Sequence, residues 1–329
     1  MKEILENNQK ILGLYSWYLQ TNSKMISKDM VDELIKSTNV DSKYAVYCLI
    51  CSIFDLDIIS NKFDKKFAEE YIRTGLNELN KEDFLNNPYY RHVHPKSYSI
   101  GKWKIKYETY LPYELFVCNE STLTKEHQEI PNIGYFSEPF SYLAVCENDN
   151  EWMMITPNEI ATMNPHITNA SGNVLTFGLG LGYFAYMCSL KENVNKITII
   201  EKDIEVIKLF NEVILPFFPY PEKIEIINDD AYSYFKKIDE KEYDYCFIDI
   251  WHDASDGVKS YLKFKKMEKK QNGIKIEYWI EDTLISYIRN DLINYLVSNT
   301  SSFTNDEERL INNLFDKTAI KKYLTKKLV

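Results

Sequence analysis

The sequence predicts an α/β protein: a doubly wound parallel sheet in the C-terminal half, preceded by a helical module and a small β-sheet. Three observations predict it. From Asn173 onward, apolar runs of strand length alternate with helix-length amphipathic segments. Those runs end in Gly, Glu or Asp, the residues that ligands meet at the C-terminal ends of parallel strands. Before residue 90 the apolar spacing is helical throughout.

Residues 1 to 90 read as a helical module, with Ile11, Leu12, Tyr15 and Leu19 and then Tyr44, Val46, Tyr47, Leu49, Ile50 and Phe54 at three-and-four spacing. From 91 to 155 the pattern turns to short β-like runs, such as Trp103 to Tyr107 and Phe140 to Val145, broken by Pro112, Pro131 and Pro139. A small antiparallel sheet is expected there. Residues 156 to 329 form the third region. Thr156-Pro157-Asn158-Glu159 has capping-box spacing with proline at the first helical position, so a helix starts there and runs toward Pro165.

Strands are then expected at Asn173 to Phe177, Lys196 to Glu201, Lys223 to Asn228 and Asp244 to Asp249. Helices are expected at Gly182 to Lys191, Asp203 to Val213, Ala231 to Lys237 and Asp256 to Lys270. Such alternation, with strands apolar on both faces, belongs to a parallel sheet covered on both sides. A further strand around Ile274 to Ile280 precedes helices built on Leu284, Ile288, Leu292 and Leu296.

Composition narrows the function classes. A chain of 329 residues with 45% hydrophobic content can bury a real core, and only 10 Gly and 10 Pro leave little disordered linker. The formal net charge of -10 opposes bulk nucleic-acid binding, which leans on phosphate neutralisation by Lys and Arg. The densest basic run, Lys263, Lys265, Lys266, Lys269 and Lys270, reads as a solvated helix face. No apolar run approaches the ~18 residues of a membrane span, and the N-terminus lacks the layout of a signal peptide, so no membrane association and a cytoplasmic location are expected. Cys48 and Cys51 fall in a helical pattern without a second Cys pair, and no metal site is expected. His92 and His94 at i, i+2 have no identifiable third ligand, and their structural role is the expectation.

The strongest local signal is Val174 to Gly182, an apolar strand running into Gly178, Gly180 and Gly182 and then a helix. Glycines there let the backbone approach a ligand at a helix N-terminus. A dinucleotide fingerprint would place the third glycine three residues after the second; here it follows by two, which favours S-adenosylmethionine over NAD. Glu201 ends the next strand, where a carboxylate can accept from both ribose hydroxyls. Asp229, Asp230 and Ala231 end the third, where an acid followed by a small residue can receive an adenine amino group; one of the two acids can instead cap the following helix. Asp249, His252 and Asp253 follow the fourth strand, where transfer chemistry belongs. Asp249 is also a candidate for contacting the cofactor's amino acid moiety. Trp279 to Asp282 is a candidate for closing the acceptor pocket.

With these residues in place the segment from about 155 to 280 resembles the class I S-adenosylmethionine-dependent methyltransferases, which share a Rossmann-like fold, and among them the spermidine synthase-like branch. The resemblance rests on VLTFGLGLGYF (174 to 184), TIIEKD (198 to 203), INDDA (227 to 231) and YDYCFIDIWHD (243 to 253). It implies that Gly178, Gly180 and Gly182 line the methionine and ribose side, Glu201 the ribose, Asp230 and Ala231 the adenine, and Asp249 the transfer centre. Thr176 stands where many such enzymes carry an acid, Ile250-Trp251-His252 replaces the aspartate-rich loop of aminopropyltransferases, and Asn158-Glu159 is only faintly similar to their upstream His-Glu pair. The expected activity is methyl transfer from S-adenosyl-L-methionine to a small-molecule acceptor. Aminopropyl transfer from the decarboxylated cofactor and a non-catalytic cofactor-binding or interaction protein are the alternatives; homo-oligomerisation is left open.

Overall fold

The computed structural model describes residues 1–268, 273–299 and 303–327, so Lys269 and Lys270 of the basic run lie outside the described residues. Helices α1 (Lys2–Asn22), α2 (Lys28–Thr38), α3 (Ser42–Ile53) and α4 (Lys62–Phe67) come first, the last running into a π-helical turn, Ala68–Arg73. Next are β1 (Leu76–Leu79), α5 (Lys81–Leu85) and α6 (Pro88–His92). Six strands follow: β2 (Tyr98–Ile100), β3 (Trp103–Tyr110), β4 (Phe116–Leu123), β5 (Glu129–Phe136), β6 (Phe140–Glu147) and β7 (Asn150–Met154).

The rest alternates: α7 (Pro157–Asn169), β8 (Gly172–Phe177), α8 (Tyr183–Ser189), β9 (Val194–Glu201), α9 (Ile204–Val213), β10 (Ile224–Asn228), α10 (Ala231–Phe235), β11 (Tyr245–Ile248), α11 (Ala254–Glu268) and β12 (Lys275–Tyr278). Helices α12 (Glu281–Asn299), α13 (Asn305–Phe315) and α14 (Lys317–Lys327) end the chain. No helix among the described residues is long and apolar enough to cross a membrane.

Two compact units emerge, each assembled from separate stretches of chain. One comprises Met1–Asp83, Thr109–Ser141 and Ile293–Ile311. Its core joins Ile11, Tyr15 and Tyr18 of α1, Val46 and Ile50 of α3, and Ile133 and Tyr135 of β5. Buried Asn8 is hydrogen-bonded at both ends of its amide: the oxygen accepts from Tyr71 Oη and Glu129 N, and the nitrogen donates to His127 O. Strand β5 is buried along nearly its whole length and so pairs on both edges, antiparallel with β4 and parallel with β1. The strand-rich stretch therefore supplies two sheets instead of the single antiparallel one expected, because β5 is buried on both faces and is covered by the helical segment as well.

The other unit comprises Phe84–Glu108, Tyr142–Leu292 and Asn312–Val329. Its main sheet is wholly parallel with order β10-β9-β8-β11-β12. The chain winds outward from β8 through β9 to β10, then returns to the other side of β8 for β11 and β12. With right-handed crossovers, helices cover both faces. The fold is thus the doubly wound, Rossmann-like α/β class expected, and its switch point lies between the C-terminal ends of β8 and β11. A second sheet, ordered β2-β3-β6-β7, belongs mostly to this unit.

Candidate functional site

Each strand of the switch-point region delivers its terminal residues to one cleft. Phe177 and Ile248 are register partners on β8 and β11, so the turns that follow these strands start side by side. The first is the glycine turn. Gly178 has φ of +94°, and a Cβ there would sit 1.9 Å from the carbonyl oxygen of Asp249. Glycine is required twice over, by the left-handed backbone and by the close approach of the second turn. Gly182, also at positive φ, starts α8, and its missing side chain makes room for the Phe210 ring.

The cleft has a volume of about 210 Å³. Gly178 and Gly180 line it, with Glu201 from β9, Asp229, Asp230 and Ala231 after β10, and Asp249 after β11. The sequence-selected cofactor residues therefore converge, with one exception: Gly182 lies deeper, on an inner void of about 20 Å³. Trp103, Glu147, Trp152 and Met153 of the second sheet also line the cleft and were not selected from sequence. Trp103 Nε1 donates to Asp203 at 3.0 Å, fixing that sheet to the start of α9. Nothing local marks these positions, since only the fold brings β3, β6 and β7 to the parallel sheet.

Glu201 is held firmly. Its two carboxylate oxygens accept from Leu179 N at 3.2 Å and Asp203 N at 2.8 Å. Burial pushes its pKa up, and these amides pull it back. A carboxylate has about four lone-pair sites, so these amides leave it some accepting capacity. Asp230 caps α10 by accepting from Ser233 N at 2.9 Å. Asp229 accepts from Asp230 N and pairs with Lys237 at 2.6 Å, which hold its carboxyl below the usual range. The lining carries six acids, Glu147, Glu201, Asp203, Asp229, Asp230 and Asp249, against Lys102 and Lys202. Lys102 is engaged by Glu147 and Asp203, so the field in the cleft is negative. The indole N–H of Trp251 is buried in the wall and meets no acceptor among the described residues.

The inner void is lined by Glu159 of α7 and by Asp249, together with Met153, Thr176, Tyr183 and Phe247. Asp249, Met153, Gly178 and Leu179 line both spaces, so the void lies against the cleft. Burial raises the pKa of Asp249, and burial reinforced by the Asp249 charge raises that of Glu159. Sequence reading assigned Glu159 to the capping box. Thr156 Oγ1 indeed accepts from Glu159 N at 3.5 Å, but the carboxyl lines the void.

His252 and Asp253 are not brought into the cleft. His252 stacks on Trp152, with its Nδ1 2.9 Å from Trp152 O. Asp253 accepts from the amide and hydroxyl of Ser255 at the start of α11. Asp256 accepts from the amides of His252 and Asp253. Elsewhere, His92 pairs with the Tyr186 hydroxyl at 3.1 Å, His94 with Arg91 O, and Trp279 Nε1 donates to Thr162. Lys265 packs inward against Glu268, so the basic run is not one solvated face, although Lys263 and Lys266 are exposed.

A parallel sheet reversing at β8, with a glycine turn after it and an acid at the end of β9, defines a Rossmann-like α/β unit. Among solved structures the chain is similar to a spermidine synthase from Thermotoga maritima, at 14% identity and a TM-score of 0.32 over 43% of this chain and 52% of that one. A spermidine synthase in complex with the transition-state analogue AdoDATO gives 15% identity and a TM-score of 0.33 over 43% and 54%. The chain thus matches about half the length of these structures. No protein-family model and no curated protein matches it.

Proposed function

We propose that the chain is a transferase that binds S-adenosyl-L-methionine or a close relative in this cleft and passes a sulfonium-bound group to a small-molecule acceptor. The observation that carries this reading is Glu201, held by Leu179 N and Asp203 N beside the glycine turn. A fixed carboxylate with spare lone pairs suits a ribose diol, and Asp229, Asp230 and Ala231 sit where a base would follow. The residues fit the group further in that Gly178 leaves the backbone bare and the acid excess suits a cationic sulfonium. When bound, the cofactor supplies an activated carbon attached to a good leaving group.

The chain's own part is positioning. The cleft holds donor and acceptor for in-line attack, and the Trp103 and Trp152 wall limits water. Asp249 is the acid that reaches both the cleft and the void, so it is the group placed to take a proton from the acceptor. Methyl transfer is the leading reading. Aminopropyl transfer is favoured by one observation, the Glu159 and Asp249 carboxyls at the inner end with no Lys or Arg lining the void. Incubation with putrescine and either cofactor separates them: S-adenosylhomocysteine as product marks methyl transfer and methylthioadenosine marks aminopropyl transfer. Absence of both with an amine, hydroxyl and thiol panel contradicts transferase activity on such acceptors.

A further inference from the structure

We propose that Tyr89 and Tyr90 of α6 are positioning residues of the candidate site: Tyr89 fixes the glycine turn, and Tyr90 fixes the end of β7 that lays Met153 on that turn. The inference rests on the nucleotide reading of the cleft and goes beyond it by naming what sets the cleft wall. Adjacent on one short helix, the two side chains reach different carbonyls of the same compact unit. Tyr89 Oη donates to Leu181 O at 2.6 Å, and Tyr90 Oη donates to Ile155 O. Leu181 stands between Gly180 and Gly182, and Ile155 follows Met153 by two residues.

The two anchored segments meet at the cleft. A Cβ built on Gly180 would come 2.0 Å from Met153 Sδ, so the thioether rests on bare glycine backbone, and both residues line the cleft. The glycine turn is thereby held at two points: the carboxylate of Glu201 accepts from Leu179 N at 3.2 Å, and Tyr89 donates to the carbonyl of Leu181. Gly180, between them, carries Met153. A helix that grips both partners of this contact sets their separation, and with it the room left for a ligand over the turn.

Helix α6 is itself firmly seated. Asn87 caps it by accepting from Tyr89 N at 2.9 Å, and its Nδ2 donates to the Tyr183 hydroxyl at 2.9 Å. The Tyr89 ring meets those of Tyr183 and Tyr186 edge-on, with centroids 5.5 and 5.3 Å away, and both belong to α8, which follows the glycine turn. Burial pushes the pKa of Tyr89 and of Tyr90 up, so both hydroxyls stay protonated and able to donate. The Tyr186 hydroxyl belongs to the same cluster but bonds to Pro88 O and His92, and Tyr186 lines neither the cleft nor the void, which makes it the control.

The test uses the full chain with Tyr89→Phe, Tyr90→Phe and Tyr186→Phe, each of which keeps its ring, and with Met153→Ala alone and combined with Tyr90→Phe. Amide exchange over residues 178–182 and 194–201 is followed by mass spectrometry, and S-adenosylhomocysteine is titrated calorimetrically. Tyr89→Phe should speed exchange in the glycine turn by about fivefold to tenfold, leave β9 unchanged and weaken S-adenosylhomocysteine by a similar factor. Tyr90→Phe should weaken the ligand by about threefold or more in the presence of Met153 and not at all once residue 153 is alanine. Tyr186→Phe should change neither reading. Equal affinity loss in all three Tyr→Phe variants, faster exchange in the turn and β9 alike, or a Tyr90→Phe effect that persists with Met153→Ala marks packing alone and overturns the positioning role. Unchanged affinity in Tyr89→Phe overturns it as well and leaves the nucleotide reading standing. Failure of the folded wild type to bind S-adenosylhomocysteine overturns both.

Discussion

The carboxylate of Glu201 accepts the main-chain N–H of Leu179 at 3.2 Å, so the acid that ends β9 also holds the glycine turn that follows β8. Leu179 is buried, and its amide would be left without an acceptor if the side chain were removed. Glu201→Ala should therefore cost about 1–3 kcal/mol of stability as well as ligand binding. Glu201→Gln keeps an acceptor but loses the charge. Its stability should be closer to wild type, while affinity for an adenosyl ligand falls by about tenfold to a hundredfold. Urea unfolding and calorimetry on the two variants check this division.

Gly178→Ala should be among the most damaging single-methyl additions in the sheet. The new Cβ would lie 1.9 Å from Asp249 O, backbone that no rotamer change relieves, at φ of +94°. A loss of about 2 kcal/mol or more is expected by chemical denaturation, with loss of ligand binding in the fraction that folds.

The Glu159 and Asp249 pair predicts a pH trend with a definite sign. Both carboxyls titrate above their ordinary range in the folded protein. The unfolded chain gives up these protons near pH 4 while the folded chain keeps them, so stability falls as pH rises from about 4 to the raised folded values. Glu159→Gln removes one titrating member and should flatten that fall. Unfolding midpoints at pH 5 and pH 8 measure it, and an unchanged slope in the variant contradicts the assignment.

Glu277 behaves in the opposite sense. Burial raises its pKa, but hydrogen bonds from His166 at 2.6 Å, Lys275 and Tyr245 outweigh burial and hold it at about 2. Its contribution is present above the unfolded carboxyl value of about 4.3 and is lost as pH falls through about 2. Glu277→Gln should lower stability at pH 7 by about 1–3 kcal/mol without affecting ligand affinity, since Glu277 does not line the cleft.

Asp249 and Asp253 should separate in kinetics. Asp253 holds the Ser255 amide and hydroxyl at the start of α11, so Asp253→Ala should cost about 1 kcal/mol of stability and leave turnover largely intact. Asp249→Asn, in the cleft, should lower turnover by two orders of magnitude or more if it takes the acceptor's proton. Equal loss in both variants would return Asp253 to the chemistry.

The parallel sheet was legible because its strands carry their own signal. Val174 to Phe177, Thr176 aside, and Tyr245 to Ile248 are apolar on both faces, and the Gly, Glu and Asp residues that end the strands stand out against them. Strand β1 was not legible: Leu76–Leu79 is four residues long, lies within a helical stretch, and pairs with β5, far away in sequence. Trp103, Trp152 and Met153 show only that they belong to strands, and which cleft they wall is decided by tertiary packing. Glu159 carried a correct local signal, a helix start, that hid its second position beside Asp249. His252 and Asp253 follow the right strand, yet the helix that begins at Ala254 uses Asp253 and Asp256 for its first turn.

The most direct test of the central claim is calorimetric titration of wild type and Glu201→Ala with S-adenosylmethionine, S-adenosylhomocysteine and NADH. The account predicts saturable binding of the first two at about one per chain, loss of at least tenfold in Glu201→Ala, and no binding of NADH. Binding of NADH alone, or of no nucleotide by a folded wild-type protein, would contradict it.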